Sequence, residues 1–239
     1  MTNFLKQCGN SQRNNPTYST AIFKYGRIYH NIMVNNKNNK NKEINFSFRE
    51  KILKFLIENK QEWSILEIAN KLKADYKNTF QAIDQLYPDL VYKEKKGSMN
   101  LIEIKSTPNQ LLYSVEEKRT KGFLEENKKL KLIKEDIEKI SYPFFIVLLF
   151  GSVAKKTATE KSDIDICILS DNKEKINELI SKLKLLPYKI EIQDFLVKEF
   201  ESMLNKKENN VAKEITKNNI ILYGIENYYN LISRWMKKE

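Results

Sequence analysis

This sequence predicts a chain of mixed helices and strands, folded in two successive parts behind an unstructured tail. Three observations carry that expectation. From Phe46 to Leu86 apolar residues recur at helical spacing, punctuated by capping residues. Two short alternating segments, Leu90–Lys93 and Asn100–Ile104, flank a turn that contains Gly97. Further on, "FFIVLLF" is a continuous apolar run bounded by Pro143 and Gly151, the pattern of a strand buried on both faces.

The elements follow in order. Residues 1–45 include "NIMVNNKNNKNKEIN", an Asn- and Lys-rich tract without periodicity that cannot bury enough apolar area to offset its ordering entropy, so disorder is expected; Met33 is an alternative start. In "FSFREKILKFLIEN", Phe48, Ile52, Leu53, Phe55 and Leu56 mark an amphipathic helix. Ser64 and Glu67 form a capping box for a second helix with Ile65, Leu66, Ile68, Ala69 and Leu72 inward. Asp75 caps a third, expected to turn Phe80, Ala82, Ile83 and Leu86 inward and to stop at Pro88. The hairpin closes this first part. Residues 108–140 read as one helix linking it to the second part. There the expected order is strand Phe144–Phe150, strand Asp165–Leu169, helix Glu174–Leu185 and strand Tyr188–Phe195. Helices near 198–205 and 208–217, the segment "NIILYG" and a last helix Glu226–Met236 complete it.

Composition narrows the chemistry. A net charge of +11 favours polyanionic partners or phosphate-bearing substrates. The single histidine, His30, lies in the tail, which disfavours a Ser-His-Asp triad, a His-containing zinc site and histidine acid–base catalysis. Two cysteines, Cys8 and Cys167, make no disulfide framework, so a reducing, cytoplasmic setting is expected, with Cys167 in the core. The longest apolar run is too short to cross a bilayer, and no membrane partner is expected.

The stretch "LLFGSVAKKTATEKSDIDICIL" carries the functional signal. Aspartate is costly in a strand, yet Asp163 and Asp165 sit one residue apart where a strand begins. Period-two alternation turns both to one face while Ile164, Ile166 and Ile168 turn to the other. Two like charges that close repel unless a cation relieves them, and oxygen donors suit magnesium, with manganese as a substitute. Gly151-Ser152, after a buried strand, permits close approach of a phosphate to backbone N–H groups. In "YKIEIQDFL", Tyr188, Ile190 and Ile192 share the apolar face; Glu191 lies opposite, whereas Asp194 falls on the apolar side.

Gly151-Ser152-Val153-Ala154 followed by Ser162-Asp163-Ile164-Asp165 resembles the signature of minimal nucleotidyltransferase domains in the DNA polymerase beta-like superfamily. The resemblance covers residues 120–239 and implies an α+β domain with a mixed sheet and flanking helices. It implies that Gly151 and Ser152 hold a triphosphate, that Asp163 and Asp165 bind Mg2+, and that a third carboxylate, assigned to Glu191, completes the catalytic and metal set. Lys156, where the family commonly has glycine, and Ser162 join the expected nucleotide-binding residues. The tail "NIILYGIENYY" resembles the segment that closes many such domains. The helix order and basic-tipped hairpin of residues 46–106 resemble a winged helix-turn-helix domain. There Lys77, Asn78 and Gln81 are candidates to read DNA, and Lys93, Lys95 and Lys96 to hold its backbone.

The resulting expectation is a tail (1–45), a winged helix-turn-helix domain (46–106), and a linker helix with a nucleotidyltransferase domain (107–239). The enzyme reading transfers a nucleoside monophosphate, AMP foremost, from a nucleoside triphosphate to a hydroxyl acceptor. That acceptor is a protein, as with antitoxins that modify a partner toxin, an RNA or a small molecule. The alternative is a non-catalytic DNA-binding regulator whose second domain senses nucleotide.

Overall fold

Each helix of the first part starts where its sequence caps it. The computed structural model describes residues 44–140, 142–159 and 162–236, so the expectations for the tail, including His30, Met33 and Cys8, lie outside the described residues. Helix α1 (Phe48–Glu58) opens on Ser47, whose backbone N–H donates to Glu50 Oε2 at 2.7 Å in a capping box, and buries Ile52, Leu53, Leu56 and Ile57. A two-residue strand, β1 (Trp63–Ser64), leads into α2 (Ile65–Leu72), capped by Ser64 and Glu67. Asp75 caps α3 (Tyr76–Leu86), which stops because Tyr87, the residue before Pro88, is extended.

Two inward assignments were wrong: Leu66, between the buried Ile65 and Ile68 of α2, lies on the outer face at 57% exposed, and Phe80 is the other. Phe80 is 36% exposed beneath the Lys93 ammonium, and Thr79 is the buried residue instead. The Thr79 hydroxyl bonds back to the Asp75 carbonyl at 2.8 Å, so a polar residue can face the core there. Strands β2 (Val91–Lys96) and β3 (Met99–Ile104) pair antiparallel around Gly97, extending further toward the turn than expected, and β1 adds to β3 in the order β1-β3-β2.

The expected single linker helix is two: α4 (Gln110–Glu126) and α5 (Lys128–Glu138) meet at Asn127, whose backbone (φ −130°, ψ 80°) leaves the helical region and whose side chain bonds to the Phe123 carbonyl. The break re-aims the Leu130, Ile133 and Ile137 stripe.

A four-stranded mixed sheet follows, with β4 (Ile146–Phe150), β5 (Ile164–Leu169), β6 (Ile190–Phe195) and β7 (Ile220–Tyr223) in the order β6-β5-β4-β7. β5 and β6 are parallel; β4 is antiparallel to both its neighbours. Between strands come α6 (Gly151–Ala154), α7 (Lys173–Leu183), α8 (Val197–Leu204) and α9 (Val211–Lys217), and α10 (Ile225–Met236) closes the chain. On one face of the sheet Val147, Leu149, Ile166 and Ile168 pack with residues of α5 and α7. On the other, Leu148, Cys167, Leu169 and Ile221 share a core with α8–α10 and with the first part. Cys167 is fully buried, as expected, and burial raises its thiol pKa well above the ordinary range. Strand β5 is therefore covered on both faces except at its N-terminal end.

A buried polar network joins the two parts. Glu116 and Arg119, 1% and 8% exposed, pair at 2.7 Å; Arg119 also donates to the Asn219 carbonyl and Tyr229 to Glu116. Lys60, just after α1, donates to the Thr216 carbonyl at 2.5 Å.

Candidate active site

The open end of β5 is where chemistry-bearing residues collect. Phe150 is in register with Asp165, so Gly151 emerges directly over the Asp165 side chain. Its φ of +69° favours glycine, and a Cβ there would stand 1.9 Å from Asp165 Oδ2. Glycine is needed twice over, for the turn and for the room that the carboxylate occupies. Four residues of helix follow, and Ser152 accepts a bond from Thr157 N–H through its carbonyl, folding the loop back.

Parallel pairing sets Asp165 beside Glu191, and the residue preceding each pair of strands sets Asp163 beside Lys189. The predicted face is thus real: Asp163, Asp165 and Glu191 lie on it together. Burial, and after it the charges of Glu191, Asp163 and Glu214, raise the Asp165 carboxyl above the usual carboxylate range, with Lys155 opposing. Asp163 Oδ2 pairs with Lys189 Nζ at 2.7 Å, while Asp163 Oδ1 is buried with no hydrogen-bond partner among the described residues. Glu191 is exposed, and its Oε1 accepts only a long bond from Gln193, at 3.4 Å. Among the described residues no three acidic, His or Cys side chains form a ready metal cluster. An orphaned oxygen on Asp163 and an undercompensated Asp165 fit a hard cation held by two aspartates, with Glu191 at the rim.

Asp194 is excluded from this face: it stands beside Ile168, near the far end of the strands, and pairs with Lys173. Two expected nucleotide contacts are engaged elsewhere. Lys156 adopts φ +57°, the backbone region glycine favours, and its ammonium pairs with Glu126 at 2.8 Å. Ser162 Oγ accepts from Thr159 N–H at 2.9 Å, closing the loop before β5.

Residues 128–228 match the family model described as Polymerase beta, Nucleotidyltransferase. Gly151, Ser152 and the acids all fall within this nucleotidyltransferase match. No curated protein matches the chain. A solved structure of a Lactococcus lactis ZitR mutant in complex with DNA is similar at 15% identity, covering 72% of this chain and 98% of that one, with a TM-score of 0.26. A similarity that low defines no shared fold.

Outside the nucleotidyltransferase match, Lys77, Asn78 and Gln81 are exposed on α3. Among the described residues Lys95 has no ion-pair partner, whereas Lys93 pairs with Asp84 at 3.4 Å and Lys96 with Glu62 at 2.8 Å. The sequence reading missed Lys189 and Lys155. Lys189 was legible, because it precedes Glu191 by two in "YKIEI" and so shares its face. Lys155 was not, since its partner Glu214, at 3.0 Å, is distant in the chain.

Proposed function

We propose that this protein is a metal-dependent nucleotidyltransferase that moves a nucleoside monophosphate, AMP foremost, from a nucleoside triphosphate to a hydroxyl acceptor. The observation that carries this reading is the placement of Asp163 and Asp165 on one face, against a glycine turn whose missing Cβ leaves room for the Asp165 carboxylate. The family match over the same residues supports it.

In this reading Gly151 and Ser152 receive the triphosphate through backbone N–H groups and the Ser152 hydroxyl. Asp163 and Asp165 hold magnesium or manganese, which when bound neutralises charge on the phosphates. Glu191, exposed at the rim, accepts the proton of the acceptor hydroxyl. The acceptor oxygen bonds to the α-phosphorus, the bond from that phosphorus to the bridging oxygen breaks, and pyrophosphate leaves. Lys156 and Ser162 remain nucleotide contacts in this proposal: Lys156 exchanges its exposed pair with Glu126, and Ser162 its bond from Thr159, for a phosphate.

Residues 46–106 serve in this proposal as a winged helix-turn-helix module that binds DNA or docks a partner protein. Lys77, Asn78, Gln81 and Lys95 are its available contacts. Lys93 and Lys96 must first leave their carboxylates, which weakens the DNA reading without ending it. The acceptor is a protein such as a toxin, an RNA or a small molecule, in a cytoplasmic setting. Among the described residues no helix is long and apolar enough to cross a membrane.

Incubation with each α-labelled nucleoside triphosphate and cell extract tests the enzyme. Label transfer that disappears in Asp163→Asn and Asp165→Asn variants is expected; equal transfer by those variants would end the proposal. A gel shift on the protein's own upstream region, with no transfer to any acceptor, would favour a DNA-binding regulator that senses nucleotide.

A further inference from the structure

We propose that Lys189 is a built-in counter-ion that holds Asp163 against premature capture of a divalent cation. The inference rests on the reading of Asp163 and Asp165 as metal-binding acids. Strand register is its foundation. β5 and β6 run parallel with Ile164 beside Ile190 and Asp165 beside Glu191. The ladder extends one step earlier, where Ile164 N–H donates to the Lys189 carbonyl at 2.9 Å. Asp163, Asp165, Lys189 and Glu191 therefore occupy the four corners of one patch, three acids and one base.

The base is engaged. Lys189 Nζ lies 2.7 Å from Asp163 Oδ2, and its side chain is 80% exposed, tethered only at the tip. The other oxygen of that carboxylate, Oδ1, is buried without a hydrogen-bond partner among the described residues. One oxygen of the aspartate is thus taken by a single positive charge, and the other is shielded from solvent, so Lys189 stands on the oxygen that a cation would reach first. A bare cation arriving alone must displace the ammonium; a cation arriving with a triphosphate brings negative charge that the freed Lys189 can meet. The lysine thereby ties cation uptake to nucleotide uptake. Because the pair is exposed, it is weak enough to exchange rapidly.

The test titrates Mn2+, without nucleotide, into the full-length protein and follows the free ion by its electron paramagnetic resonance signal. Lys189→Gln is expected to bind Mn2+ about two- to fivefold more tightly than wild type, the factor an exposed ion pair supplies. Lys189→Arg, which keeps the charge, should stay at the wild-type affinity, and added salt should narrow the gap between Lys189→Gln and wild type. Asp165→Asn should bind weakly whatever stands at 189. Equal or weaker Mn2+ binding by Lys189→Gln, with binding still lost in Asp165→Asn, overturns the role of Lys189 and leaves the acids' role intact. Binding that is indifferent to Asp165→Asn, or absent from wild type and Lys189→Gln alike, overturns the metal reading and this proposal with it. Circular dichroism melts verify that each variant is folded.

Discussion

Replacing Gly151 with alanine should damage the candidate site and the fold together, in proportions that the structure allows to be separated. Two costs add. An alanine held at φ +69° pays about 1–2 kcal/mol for the left-handed backbone. Its methyl group would also stand 1.9 Å from Asp165 Oδ2, 2.7 Å from Cγ and 3.2 Å from Cβ. Rotating the carboxylate does not clear the Cβ contact, and β5 is held by its ladder to β4 at Phe150–Asp165, so the strand end must shift. Overpacking of this kind costs about 1–3 kcal/mol, giving a total of roughly 2–5 kcal/mol. Gly97→Ala is the internal control, because Gly97 has φ +63° with nothing within 4 Å of the added carbon, so it bears the backbone cost alone. Urea unfolding followed by circular dichroism should lower the midpoint by about 1 M for Gly151→Ala and about half that for Gly97→Ala, with a slope of roughly 2–3 kcal/mol/M. Only Gly151→Ala should lose Mn2+ binding and label transfer. If it unfolds with Gly97→Ala and keeps its Mn2+ affinity, the packing of Asp165 against the turn is not what requires glycine.

Arg119→Met should cost about 3–5 kcal/mol in urea unfolding, because it leaves the Glu116 carboxylate buried without its guanidinium; adding Glu116→Gln should restore part of the loss, and no restoration would deny the pair. Lys60 gives a pH signature: burial pushes its ammonium down to about 8, with Glu116 opposing and Arg119 reinforcing. Across the window from about pH 8 to about pH 10.4 the unfolded chain keeps a proton that the folded chain has released, so stability due to Lys60 rises with pH there and is flat below it. Between about pH 7.5 and about pH 9.5 wild type should gain about 1–2 kcal/mol relative to Lys60→Met, and parallel curves would show that Lys60 keeps its ordinary affinity for protons. If the hairpin holds DNA, Lys95→Ala should weaken binding evenly across sequences and reduce the salt dependence by about one unit of slope, measured by gel shift at several salt concentrations.

Much of the fold was legible because its signals are local. Ser64 with Glu67 and Asp75 started helices where caps demand them, and Gly97 turned the hairpin. Period-two alternation set Asp163 and Asp165 apart from Ile164 and Ile166, and placed Glu191 rather than Asp194 on the acids' face. What spacing alone did not reveal was which partner a side chain rests on. Phe80 has the spacing of a core residue, but Lys93 arrives from a neighbouring strand to cover its ring. Lys156 and Ser162 have phosphate-seeking chemistry, yet Glu126 and Thr159 claim them first. Helix α4 could be expected from its pattern, while its break at Asn127 follows from the packing that re-aims α5.

By itself the sequence determined most helix starts, the alternation along β5 and β6 and the acidic pair beside the glycine turn, because each depends on neighbours within a few residues along one chain. Only the tertiary structure decided that Lys189 stands across from Asp163, that Glu116 and Arg119 are buried where the two parts join, and that the hairpin lysines answer to their own carboxylates. Those pairings depend on strand order and on helices meeting in space. Charges act through distance rather than through sequence separation, so a residue's partner is known only once the fold has brought it near.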